Sequence, residues 1–64
     1  MDELDQQLES CRLNVINNLR VIDTSMTFSV FPRGVNSIAI NDAALNIVKE
    51  TQRIFLLLEM KRKA

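Results

Sequence analysis

Apolar residues recur at Met1, Leu4, Leu8, Cys11, Val15, Leu19, Ile22 and Met26, separated by steps of three and four. That spacing gathers them into one stripe of a helix, so residues 2–26 are predicted to form an amphipathic helix. Acids crowd its start (Asp2, Glu3, Asp5, Glu9) and Arg12 and Arg20 come later, an order that complements the helix dipole. Asn14, Asn17 and Asn18 have low helix propensity, so this segment must be held by packing.

A second stripe runs through Ile40, Ala44, Ile47, Val48, Thr51, Ile54, Phe55 and Leu58, with Asp42, Asn46, Lys49 and Arg53 opposite. It predicts a helix over residues 40–62. Asn41 or Asp42 suits its N-cap, and Lys61, Arg62 and Lys63 suit its carbonyl pole.

Residues 27–40 read differently, being rich in Thr, Ser, Phe, Val and Ile and holding the only proline and the only glycine, Pro32 and Gly34. A turn at Pro32-Arg33-Gly34 pairs Phe28 with Ile38 and Met26 with Ile40 on one side, and puts Thr27 and Ala39 on the other. A short β-hairpin accounts for this, and so does an irregular loop whose Phe28 and Phe31 plug the end of the helix pair. The fold class that follows is mainly α: two antiparallel amphipathic helices joined by a short β-hairpin or loop. The antiparallel order brings Asp2, Glu3 and Asp5 beside Lys61, Arg62 and Lys63; exposed pairs of this kind choose an orientation without holding a fold together.

The predicted internal seam is Leu8, Val15, Leu19, Ile47, Ile54 and Leu58. Leu13 and Ile16 on the first helix, and Leu56, Leu57 and Met60 on the second, fall outside it. These five are the candidate partner-binding residues. Size sharpens the point, because a 64-residue chain is marginally stable without a metal, a disulfide or oligomerisation. Cys11 is alone and reads as a small core residue, and there is no His. Residues 1–64 therefore read as a single helical-hairpin interaction module that packs into a larger helical assembly. A hetero-oligomer is favoured over a homo-oligomer, because Asn18 and Ser25 fall where a leucine-zipper seam wants apolar groups.

Eight Lys and Arg balance eight Asp and Glu, and zero net charge removes the general drive toward nucleic acid. The apolar share of 47% is that of a folding chain, not a disordered one. The acidic start lacks the pattern of a leader, and the run Ile54 to Leu58 is too short to span a bilayer, so an intracellular, soluble protein of cytoplasm or nucleus is expected. Without His or Tyr, and with Cys11 on the inner stripe, no nucleophile and base pair stands out, so no enzyme is expected. The acids at the start lack the glycine turn and later bidentate acid of a calcium loop, and no phosphate-cradling glycine motif exists, so no metal or cofactor is expected. The expected role is a non-catalytic structural or adaptor subunit. The competing reading is a self-contained homodimer that binds nucleic acid or an anionic surface through Lys61, Arg62 and Lys63.

Overall fold

The computed structural model describes residues 2–27 and 35–63. Two helices, α1 (Glu3–Thr27) and α2 (Val35–Lys63), pack against each other as an antiparallel hairpin. The chain is a rod of 50 × 18 × 11 Å.

Helix α1 starts at a cap that the acid-rich opening supplies. The Asp5 N–H donates to Asp2 Oδ1 at 2.8 Å, and the Gln6 N–H donates to the Asp2 carbonyl at 3.0 Å. Two amide groups at the helix start thus find acceptors, and Glu3 and Asp5 add negative charge in the first turn. Helix α2 ends on Lys61, Arg62 and Lys63, the charges its carbonyl pole favours. This helix begins five residues before the periodicity alone indicated. Residues 35–40, which a β-hairpin would use as its second strand, are helical, as are Met26 and Thr27. A two-stranded ribbon has little to bury, whereas extending an existing helix adds one hydrogen bond per residue fixed. The predicted turn itself, residues 28–34, lies outside the described residues.

The inner line of α1 is Leu4, Leu8, Cys11, Val15, Asn18, Ile22 and Ser25. That of α2 is Ile40, Ala43, Ile47, Glu50, Ile54 and Leu57. Both advance in alternating steps of three and four, which keeps one stripe facing one neighbouring helix. The most buried side chains are Cys11, Ala43 and Leu57, at 3%, 2% and 5% exposure. Two of the three are small, which lets the helix backbones approach.

The seam differs from expectation at two places. Leu19 and Leu58 are 52% and 51% exposed, and their neighbours Asn18 and Leu57 face inward instead. Ile40, Ile47 and Ile54 belong to two overlapping stripes of α2. One is completed by Ala44, Thr51 and Leu58, the more apolar choice; the other by Ala43, Glu50 and Leu57. The second is the one used, and polar contacts go with it: Asn46 Nδ2 donates across the hairpin to Asn18 Oδ1 at 3.3 Å, while Asn18 Nδ2 donates to the Asn14 carbonyl at 2.7 Å.

Candidate interaction surface

Burial inside the hairpin is thin, and the outside carries most of the large apolar side chains. Among the described residues, Leu13, Leu19, Val21, Met26, Ile38, Leu45, Val48, Phe55, Leu56, Leu58 and Met60 are all at least 42% exposed, and none of the large side chains is fully buried. The chain exposes 5190 Å² in total. A compact chain of its 7.3 kDa exposes about 4,200 Å², so the rod carries an excess of about 1,000 Å².

Of the five residues picked from sequence, Leu13, Leu56 and Met60 are 46%, 63% and 56% exposed, and Ile16 is half-buried. Leu57 is a correction: at 5% exposure it is part of the seam, and no partner reaches it without opening the hairpin. The reason is the register of α2, which turns Leu57 inward and Leu58 outward. A step of roughly 100° per residue puts Leu13 on the outer back of α1, Ile16 on one flank, and Leu56 and Met60, four residues apart, on the opposite flank of α2. The hairpin therefore does not gather these four into one patch.

What it does gather is a set that the periodicity had assigned to the interior. Leu19 and Met26 of α1, with Val48, Phe55 and Leu58 of α2, lie roughly 50 to 130° from their seams in the same rotational sense, and so does Ile16. Because the helices are antiparallel, flanks displaced in the same sense turn to the same side of the rod. The signal was legible: 44, 48, 51, 55 and 58 advance by four, three, four and three, as an inner seam does. The other side carries Ser10, Asn14 and Asn17 of α1 and Asn46, Lys49 and Arg53 of α2, with Val21, Leu56 and Met60 the large apolar members. The first side is apolar along α2, while along α1 it also carries Asp5, Glu9, Arg12 and Asp23; the second is polar and asparagine-rich.

Among the described residues three ion pairs engage six of the charged side chains. Arg12 donates to Glu9 through Nε at 3.1 Å and also through Nη2, and this guanidinium holds the Glu9 carboxyl below its ordinary value. Lys61 Nζ donates to Asp5 Oδ1 across the hairpin, which holds the ammonium above its ordinary value. Arg62 reaches Glu59 at 3.4 Å. Two of the three basic residues at the end of α2 are thus engaged by carboxylates of this chain.

The interior holds one polar pairing of note. Burial pushes the Cys11 thiol above its ordinary value of 9.0, the facing Glu50 carboxylate pushes it further, and Arg53 opposes both. Glu50 Oε2 is buried without a hydrogen-bond partner among the described residues. A thiol held protonated and out of solvent is a poor nucleophile. No group of three or more His, Cys, Asp or Glu among the described residues is placed to hold a metal ion. No helix among them is long and apolar enough to cross a membrane.

No protein-family model, curated protein or solved structure matches the chain.

Proposed function

We propose that this chain is a non-catalytic structural subunit, which assembles with other helical proteins through the apolar residues that its hairpin leaves outside. The observation that carries the reading is the imbalance of burial among the described residues: Cys11, Ala43 and Leu57 are buried, against a long run of large apolar groups above 40% exposure. Monomeric soluble proteins seldom leave contiguous apolar surface of this extent uncovered. A rod two helices wide is also the shape of a bundle component, with one stripe per helix used internally and the rest available to neighbours. Heterologous helical subunits dock on the outer ridge of Leu56, with Leu13, Ile16 and Met60 as further contacts.

The alternative, a homodimer that binds nucleic acid or an anionic surface through the end of α2, has less support. Lys61 and Arg62 already have carboxylate partners, so a phosphate would have to displace Asp5 and Glu59. The experiment is affinity purification of the tagged chain with cross-linking and mass spectrometry, repeated with Leu56→Glu. The reading expects a defined helical protein, cross-linked near Leu56 and lost on substitution while the hairpin stays helical. Recovery that is indifferent to Leu56→Glu, or a salt-sensitive nucleic acid in its place, refutes it.

A further inference from the structure

We infer that the outer back of α2 is a self-complementary surface, on which the α2 of a second copy packs antiparallel, the two hairpins meeting through α2 alone. This rests on the structural-subunit reading and names one of the helical partners. Three observations point to a copy as the occupant.

The first is a face without charge. Ile38, Asn41, Leu45, Val48, Gln52 and Phe55 advance in alternating steps of three and four, and a step of roughly 100° per residue sets them about 110 to 210° from the α2 seam. From residue 37 to residue 58 that face carries no charged side chain, and its Ile38, Leu45, Val48 and Phe55 are each more than half exposed. A helix packed there sits almost opposite α1. At interaxial distances of about 8 to 10 Å its axis runs about 18 Å from that of α1, so Asp5, Glu9, Arg12 and Asp23 of α1 stay out of the contact.

The second is symmetry of the line under reversal. Ile38 and Phe55, Asn41 and Gln52, and Leu45 and Val48 are all equidistant from one point between Asn46 and Ile47. A two-fold axis at that point sets each residue of a pair in one layer with the other residue of the partner's pair. Every layer then matches like with like: apolar groups meet apolar groups, and the Asn41 amide meets the partner's Gln52 amide, each able to donate and to accept. Glu59 and Lys63, which follow the line, lie past the start of the partner's α2.

The third is charge at the edge. Asp42 and Lys49 flank the line on one edge and make no ion pair among the described residues. In an antiparallel pair like edges meet, and the same two-fold axis brings Asp42 level with the partner's Lys49 to within about 3 Å along the helices, twice over. A parallel pair would set Asp42 beside Asp42 and Lys49 beside Lys49.

The test is sedimentation equilibrium of the full chain with circular dichroism, across micromolar concentrations. The expected species has twice the 7.3 kDa mass. Phe55→Glu, at a side chain 67% exposed in the single hairpin, is expected to weaken it by about 100-fold or more while the chain stays helical. Val21→Glu, on α1 and 42% exposed, is expected to leave it intact. A helical monomer, a stoichiometry other than two, or a dimer kept with Phe55→Glu overturns the inference. A monomer that still binds a helical protein through Leu56 overturns it while sparing the functional reading.

Two further measurements read the orientation. At low salt Asp42→Lys is expected to weaken the dimer roughly two- to tenfold, and Lys49→Asp in the same chain to restore it; a single substitution without effect overturns the antiparallel order. Spin labels at Arg62→Cys in a Cys11→Ala background are expected on the order of 45 Å apart. A separation within about 20 Å is that of a parallel pair and overturns the arrangement.

Discussion

Leu57 and Leu58 are adjacent, chemically identical and opposite in role, so truncating each in turn tests the register of the hairpin. Leu57 is 5% exposed and Leu58 is 51% exposed. Leu→Ala at a buried site costs about 2 to 5 kcal/mol, and a two-helix rod can close partly over the gap, so the low end of about 2 to 3 kcal/mol applies. Total stability at about 0.05 to 0.15 kcal/mol per residue comes to roughly 3 to 10 kcal/mol for 64 residues. Leu57→Ala therefore removes between a quarter and most of what holds the hairpin. Leu58→Ala in a single hairpin stays within about 0.5 kcal/mol, since half the side chain is already wet and Ala is the better helix former. The assay is urea unfolding followed by circular dichroism at two protein concentrations. At the lower one Leu57→Ala should shift the midpoint strongly and Leu58→Ala hardly at all. At the higher one the order of the two losses should be the same. Equal losses at the low concentration, or a greater loss for Leu58→Ala, would show that the register of α2 is wrong.

Further predictions concern the cap and the polar pairing in the seam. Asp2→Ala removes the side-chain acceptor of the Asp5 N–H and should cost about 1 kcal/mol, read as a lower urea midpoint and fraying at the start of α1 in amide exchange. Glu50→Met removes a buried carboxylate oxygen that lacks a partner, together with the acceptor that faces the Cys11 thiol, and should raise stability by about 1 kcal/mol in the same assay; a loss would mean that the thiol contact outweighs the unpaired oxygen. Cys11 should react with iodoacetamide far more slowly than a free thiol at mildly alkaline pH, and at the free rate once urea unfolds the chain. The folded thiol holds its proton more tightly than the unfolded one. Its contribution is therefore whole below the ordinary thiol range and is lost as pH rises through the elevated folded value. Urea midpoints from about pH 8 to about pH 10.5 should fall more steeply for the native chain than for Cys11→Ala.

The two helices were legible because their apolar spacing is long and regular: Leu4, Leu8, Cys11, Val15 and Ile22 mark one face of α1 without ambiguity. The start of α2 was not. Val35, Ser37, Ile38 and Ala39 alternate well enough to pass for a strand, and only continuity with the helix that follows decides the matter. The candidate surface was hidden by the same ambiguity in another form. Val48, Phe55 and Leu58 flank Ile47 and Ile54 closely enough to merge into one broad stripe, and periodicity does not say which edge of a broad stripe turns inward. Asn18 and Glu50 do not stand out as seam residues because they are polar, yet Asn18 stands between Val15 and Ile22 at the required spacing.

That choice of edge links the fold to its assembly. Completing the seam with Ala44, Thr51 and Leu58 would have buried a more apolar line and put Glu50 in water. Turning α2 the other way admits Glu50 and Asn18 to the interior and sets Asn46 beside Asn18. It also leaves Val48, Phe55 and Leu58 outside, each more than half exposed. A chain folding alone has no gain to set against that loss of apolar burial, since two small buried residues and one leucine form a weak core. On the proposed structural-subunit reading, the register becomes favourable once the exposed line has a partner helix to meet. In such an assembly α2 would bury two adjacent stripes, one against its own α1 and one against a partner helix. The polar residues in the seam follow from the same logic. A polar residue at a seam position favours one register at a cost in stability, and the register that goes with the Asn18–Asn46 contact is the one that leaves Val48, Phe55 and Leu58 outside.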